Sequence, residues 1–146
     1  MANSDSVGQN TQDYFGNYLL ARAVPVSLAT AANAVVAMPF ISGGLQGSGK
    51  VILRRITVYG LSNTAGGTEP SAATANVTIG QTNDGGNLVT TTFQLSNVIN
   101  SNTYQDITLV AAAGNTTYTN DTLFLNVVTA VANAAVKVDV WGEVKF

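Results

Sequence analysis

The 146-residue chain contains no histidine and no cysteine, and only 10% of its residues are charged. Histidine is the usual side chain for proton transfer near neutral pH, and cysteine supplies thiolate nucleophiles. Together they dominate transition-metal ligation. Their absence removes disulfides, thiol catalysis, Ser–His chemistry and His/Cys metal sites from the reading. No Ser-x-x-Lys pair replaces the missing base for a serine nucleophile. Six Lys and Arg against eight Asp and Glu leave a net charge of -2, so there is no basic excess to neutralise nucleic-acid phosphates. The longest apolar runs, 34–41 and 130–136, fall short of the ~18–20 residues that span a bilayer. The opening Met-Ala-Asn-Ser-Asp-Ser has no basic segment followed by an apolar one, so no signal peptide is expected. The expectations are no nucleic-acid partner, no membrane partner, no cofactor and no enzymatic activity.

What fills the chain is Thr, Val, Ala, Asn and Gly in short alternating runs. The length suits one domain, and 46% hydrophobic residues can form a core without a metal or disulfide. Soluble surfaces usually carry about 25–35% charged residues. Here Asn, Thr, Ser, Gln and Gly must cover the surface. Such neutral groups cost less to desolvate than charges do, which suits a surface that neighbours cover.

Residues 1–23 read as an N-terminal arm. Its first dozen residues are polar. Tyr14 and Tyr18, like Phe15 and Leu19, are four apart and would share a face on one or two helical turns. From residue 24 the period is two, over about eight candidate strands separated by turn-rich loops. The fold class expected for 24–146 is an all-β, jelly-roll-like sandwich. Strand 24–28 carries Pro25 and should lie at an edge or a strand start. Strand 50–59 is apolar on both faces and should be central. Its alternation puts Arg54 and Arg55 on opposite faces. Further strands are expected at 34–41, 74–80, 87–95, 104–110 and 122–129, with a hairpin turn at 83–86. In the last segment Val136, Val138, Val140, Val144 and Phe146 alternate with Lys137, Asp139, Trp141, Glu143 and Lys145, so one face is core and the other charged around a tryptophan.

Motifs that resemble chemistry are weak in context. The stretch from Gly44 to Lys50 matches G-x-x-x-x-G-K, but Val51 stands where a phosphate loop needs Ser or Thr, and Lys50 opens a strand rather than a helix. The carboxylates Asp84, Asp106, Asp121, Asp139 and Glu143 form no evident catalytic pair. Asp139 and Glu143 read as salt-bridging neighbours of Lys137 and Lys145. Residues 115–121 lack the ligand spacing of a calcium loop. Trp141, Tyr59 and Tyr104 could stack on a sugar, or lie at a subunit interface where such residues concentrate. The candidate partner-binding residues are Tyr14, Phe15, Tyr18, Leu19, Arg54 and Trp141.

The acidic, unsecreted start, the Ala/Thr/Asn/Gly-rich body without Cys or His, and strands such as 51–59 and 136–146 resemble the small decoration (cement) proteins on the capsids of tailed bacteriophages. That resemblance implies a jelly-roll or related sandwich, a homotrimer, and the major capsid protein as partner. It also implies a place on the virion surface, with residues 1–23 as a gripping arm. The alternative carried from the residues is a carbohydrate-binding module with a glycan as ligand.

Overall fold

The computed structural model describes residues 18–37, 50–68, 70–83, 85–89, 92–118 and 122–145. They form eight strands: β1 (Tyr18–Ser27), β2 (Asn33–Ala37), β3 (Lys50–Asn63), β4 (Asn76–Gly80), β5 (Phe93–Gln94), β6 (Tyr104–Ile107), β7 (Thr122–Thr129) and β8 (Ala134–Lys145). A 3₁₀ turn, Ala111–Asn115, lies between β6 and β7. All strand pairings are antiparallel. β1 pairs with β8, β2 with β7, β3 with β6, and β4 with β5, as one long hairpin folded upon itself. β8 also pairs with β3, and β7 with β4. The result is two four-stranded sheets, ordered β1-β8-β3-β6 and β2-β7-β4-β5. This is the strand order of a jelly roll, and the expected all-β sandwich is what the chain forms.

Alternating side chains build the core. Val136, Val138 and Val140 of β8 are buried, as are Leu123, Leu125 and Val127 of β7 and Val77 and Ile79 of β4. They meet Leu20, Val26, Leu53, Ile56 and Val58 from β1 and β3. No polar side chain is buried among the described residues, so the core incurs none of the desolvation cost that a buried polar group carries. β3 is central, between β8 and β6, and β1 is an edge strand, as Pro25 requires. Val51, Leu53, Ile56 and Val58 do not line two faces of β3, since all four join the core. Two register shifts interrupt β1 between Leu19 and Val24. Bulges and a proline are devices that blunt an open sheet edge.

The structure corrects several expectations. Residues 18–23 are not helical turns. They form the first part of β1, which runs across the arm boundary placed at 23/24. The four-residue spacing of Phe15 and Leu19 coincided with a strand in which Leu19 stands opposite Trp141. Tyr14 and Phe15 lie outside the described residues, as do the 44–49 part of the glycine-rich loop, Asp84, Asp121 and Phe146. Arg54 and Arg55 do not take opposite faces, because the register of β3 on β8 shifts between Leu53 and Arg55. One extra residue flips the phase, so Leu53 and Ile56 are both core and both arginines are exposed. Finally, 87–95 is not one strand. Residues 87–89 form a turn, with the Val89 N–H donated to the Gly86 carbonyl, and Phe93–Gln94 is the strand described in this stretch that pairs with β4. Leu88, Val89 and Leu95 nevertheless reach the core.

Gly142 fixes the join of the two longest pairings. It stands opposite Tyr18 of β1 and Leu53 of β3. A Cβ there would lie 2.7 Å from the Ile52 carbonyl oxygen and 2.7 Å from a Leu20 methyl. A side chain at this position has no room without backbone movement.

Candidate functional site

Charge is divided unequally between the two sheets. Arg22 lies on β1, Lys50, Arg54 and Arg55 on β3, and Lys137 and Lys145 on β8. These are all six cationic residues of the chain, and every one is in the β1-β8-β3-β6 sheet. Asp106, Asp139 and Glu143 join them there. The strands of the other sheet carry no charged residue.

The outer face of the charged sheet is organised in rows set by register. Leu19, Trp141 and Arg55 form one row. Asp139, Thr57 and Asp106 form the next. Pro25, Lys137, Tyr59 and Tyr104 form the third. In the first row the Arg55 guanidinium sits over the Trp141 ring, 5.2 Å from its centre, a cation–π contact. Beside it Arg54 donates to Glu143 Oε2 at 2.6 Å and to the Gly114 carbonyl at 3.0 Å. Glu143 therefore pairs with Arg54, a partner brought to the same face by the bulge in β3.

In the second and third rows Asp139 is the organising group. Its Oδ1 accepts the Ala23 N–H at 2.7 Å and the Tyr59 hydroxyl at 3.0 Å. Ala23 has φ 50°, a left-handed conformation that is strained for a residue with a Cβ. The carboxylate holds it there. Burial raises the Tyr59 phenol above its ordinary value of 10.0, and the hydrogen bond to Asp139 and the negative charge of Asp139 raise it further, against the opposing charge of Arg22. Thr57 donates to Asp106 Oδ1. Arg22, Thr57, Tyr59, Ser101, Asn102, Thr103, Tyr104 and Asp139 enclose an open cleft of about 440 Å³.

Of the residues singled out in the sequence, Leu19, Arg54 and Trp141 meet at one corner of this face. Tyr18 instead packs against the core. Tyr59 and Tyr104 stand directly opposite each other, one row away from Asp139 and two from Trp141. Sequence reasoning missed Arg22 and the 101–103 turn. The signal for Arg22 was its isolation in an apolar segment. Nothing local marked the turn.

The uncharged sheet presents a different face. Val35 of β2 is 56% exposed and Val128 of β7 is 47% exposed. Val35 stands opposite Phe124, and Asn33 opposite Asn126. Neutral amide–hydroxyl contacts fill the rest, with Asn76 Nδ2 donating to Thr129 Oγ1 at 3.1 Å. Among the described residues no group of three acidic side chains is placed to hold a metal ion. No family model, no curated protein and no solved structure matches the chain.

Proposed function

We propose that the chain is a capsid decoration (cement) protein: a non-enzymatic virion component that binds the major capsid protein on the head surface as a symmetric homotrimer. The observation that carries this reading is the uncharged sheet face, which exposes Val35 opposite Phe124 and, beyond the Asn33–Asn126 pair, Val128. The strands of that sheet carry no charged residue, so covering their outer face desolvates no strand charge and even a modest apolar area favours attraction. The opposite face, with its arginines, lysines and carboxylates, keeps the molecule soluble. Jelly rolls recur among viral capsid and lectin domains, which supports the reading by fold-level analogy. Individually weak contacts made by each copy of a trimer add through multivalency.

The test is the oligomeric state. Light scattering on the intact protein should give three times the chain mass. The double variant Val35→Lys/Val128→Lys should dissociate it, because each lysine would be buried without a partner. A strict monomer in the wild type overturns the trimer and the avidity argument with it. Truncation at residue 23 is not a clean test of an arm, since it removes the first six residues of β1.

A further inference from the structure

We propose that the cleft between Tyr104 and Arg22, on the charged face, is a binding site for a neutral saccharide. The inference stands apart from the capsid reading, which rests on the opposite sheet.

Tyr104 is 66% exposed. Every other aromatic residue described is half-buried or buried. An exposed ring at the mouth of a concave site offers the flat apolar surface on which the C–H face of a pyranose can rest. Its size lies within the range of small-molecule sites. The polar groups around it supply both halves of hydroxyl recognition. Asp139 makes both of its hydrogen bonds through Oδ1, which leaves Oδ2 to accept from a ligand hydroxyl. Arg22 lines the same cleft and makes no ion pair among the described residues, so its guanidinium is available to donate. A sugar hydroxyl does both, and vicinal hydroxyls can engage the two groups together. One carboxylate and one guanidinium balance, so the cleft has no charge excess to select an acidic sugar.

The groups are held in place before any ligand arrives. Asp139 is fixed by Ala23 and Tyr59. The 101–103 turn is fixed by Thr103, whose Oγ1 accepts the Ile99 N–H at 2.9 Å and the Asn100 N–H at 3.0 Å, and by Asn100 Oδ1, which accepts the Asn102 N–H at 2.9 Å. Such preorganisation lowers the ordering cost of binding. The strained Ala23 follows Arg22 and donates its N–H to Asp139, two residues that line the cleft, and backbone strain tends to mark function. Trp141 does not line the cleft, and Arg55 covers its ring, so the sugar platform reduces to the two tyrosines.

The test is a backbone-amide NMR titration of the intact chain with the methyl glycosides of glucose, galactose, mannose and N-acetylglucosamine. At least one should shift amides of residues 22–23, 57–59, 101–104 and 139. Tyr104→Ala and Arg22→Gln should each weaken that binding at least about tenfold, while Tyr104→Phe retains it. The Tyr104 side chain makes no hydrogen bond among the described residues, and amide dispersion in Tyr104→Ala verifies that the variant is folded. The proposal is overturned if none of the four sugars shifts those amides, if the shifts cluster at Trp141 instead, or if Tyr104→Ala binds as tightly as wild type.

Discussion

Replacing Asp139 with alanine probes the group on which the charged face is built. The change removes two hydrogen bonds to Oδ1, from the Ala23 N–H at 2.7 Å and the Tyr59 hydroxyl at 3.0 Å. Hydrogen bonds to a charged group contribute about 1.5–3 kcal/mol each when desolvated. Asp139 is only half-buried, so the low end applies, and the pair should be worth about 2–3 kcal/mol. Asp139→Asn keeps an acceptor oxygen and should lose about half as much. Urea unfolding followed by the fluorescence of Trp141, the single tryptophan, measures both. The Ala23 amide should also exchange faster, since its left-handed turn loses the acceptor that holds it. If Asp139→Ala unfolds within about 0.5 kcal/mol of wild type, Asp139 does not anchor β1, and the account of the strained Ala23 fails.

Gly142→Ala should destabilise by about 1–3 kcal/mol in the same assay, because the new methyl meets a backbone carbonyl that cannot move without breaking the β3–β8 register. The Tyr59 phenol should ionise above the ordinary value of 10.0 in an ultraviolet pH titration, owing first to burial and then to Asp139. Its folded-state value exceeds the unfolded one, so the linked stabilisation is complete below about pH 10 and is lost as pH rises through the folded value. In Asp139→Ala the upward shift of Tyr59 should shrink but persist, since burial remains.

Legibility followed periodicity. β7 was readable to the residue, and β8 to within two residues of its start, because their apolar positions alternate, as Leu123, Leu125 and Val127 do. Pro25 marked an edge correctly because a missing N–H leaves few other places for it. The failures share a cause. A bulge at Leu53–Arg55 changes phase without changing composition, so nothing in the local sequence announces that both arginines face out. Residues 18–23 read as helix because Tyr and Leu at four-residue spacing fit either structure, and only pairing with β8 decides between them. The cleft was hardest to see. It joins Arg22, Tyr59, Asn102 and Asp139 from four separate parts of the chain, through a register no single segment specifies. Tyr59, Tyr104 and Trp141 were legible as candidates, but not which of them would be neighbours.

The pairing of Tyr18 with Gly142 has a mechanical consequence. β1 begins, and β8 ends, at the same end of the same sheet. Tension applied through Tyr18 and Lys145 therefore pulls two antiparallel neighbours apart from that shared end. Their hydrogen bonds run perpendicular to the strands, so the load falls along one bond at a time, and the pair peels open at low force rather than shearing as a unit. A tether that must resist strain would grip this fold elsewhere, on a loop between the sheets.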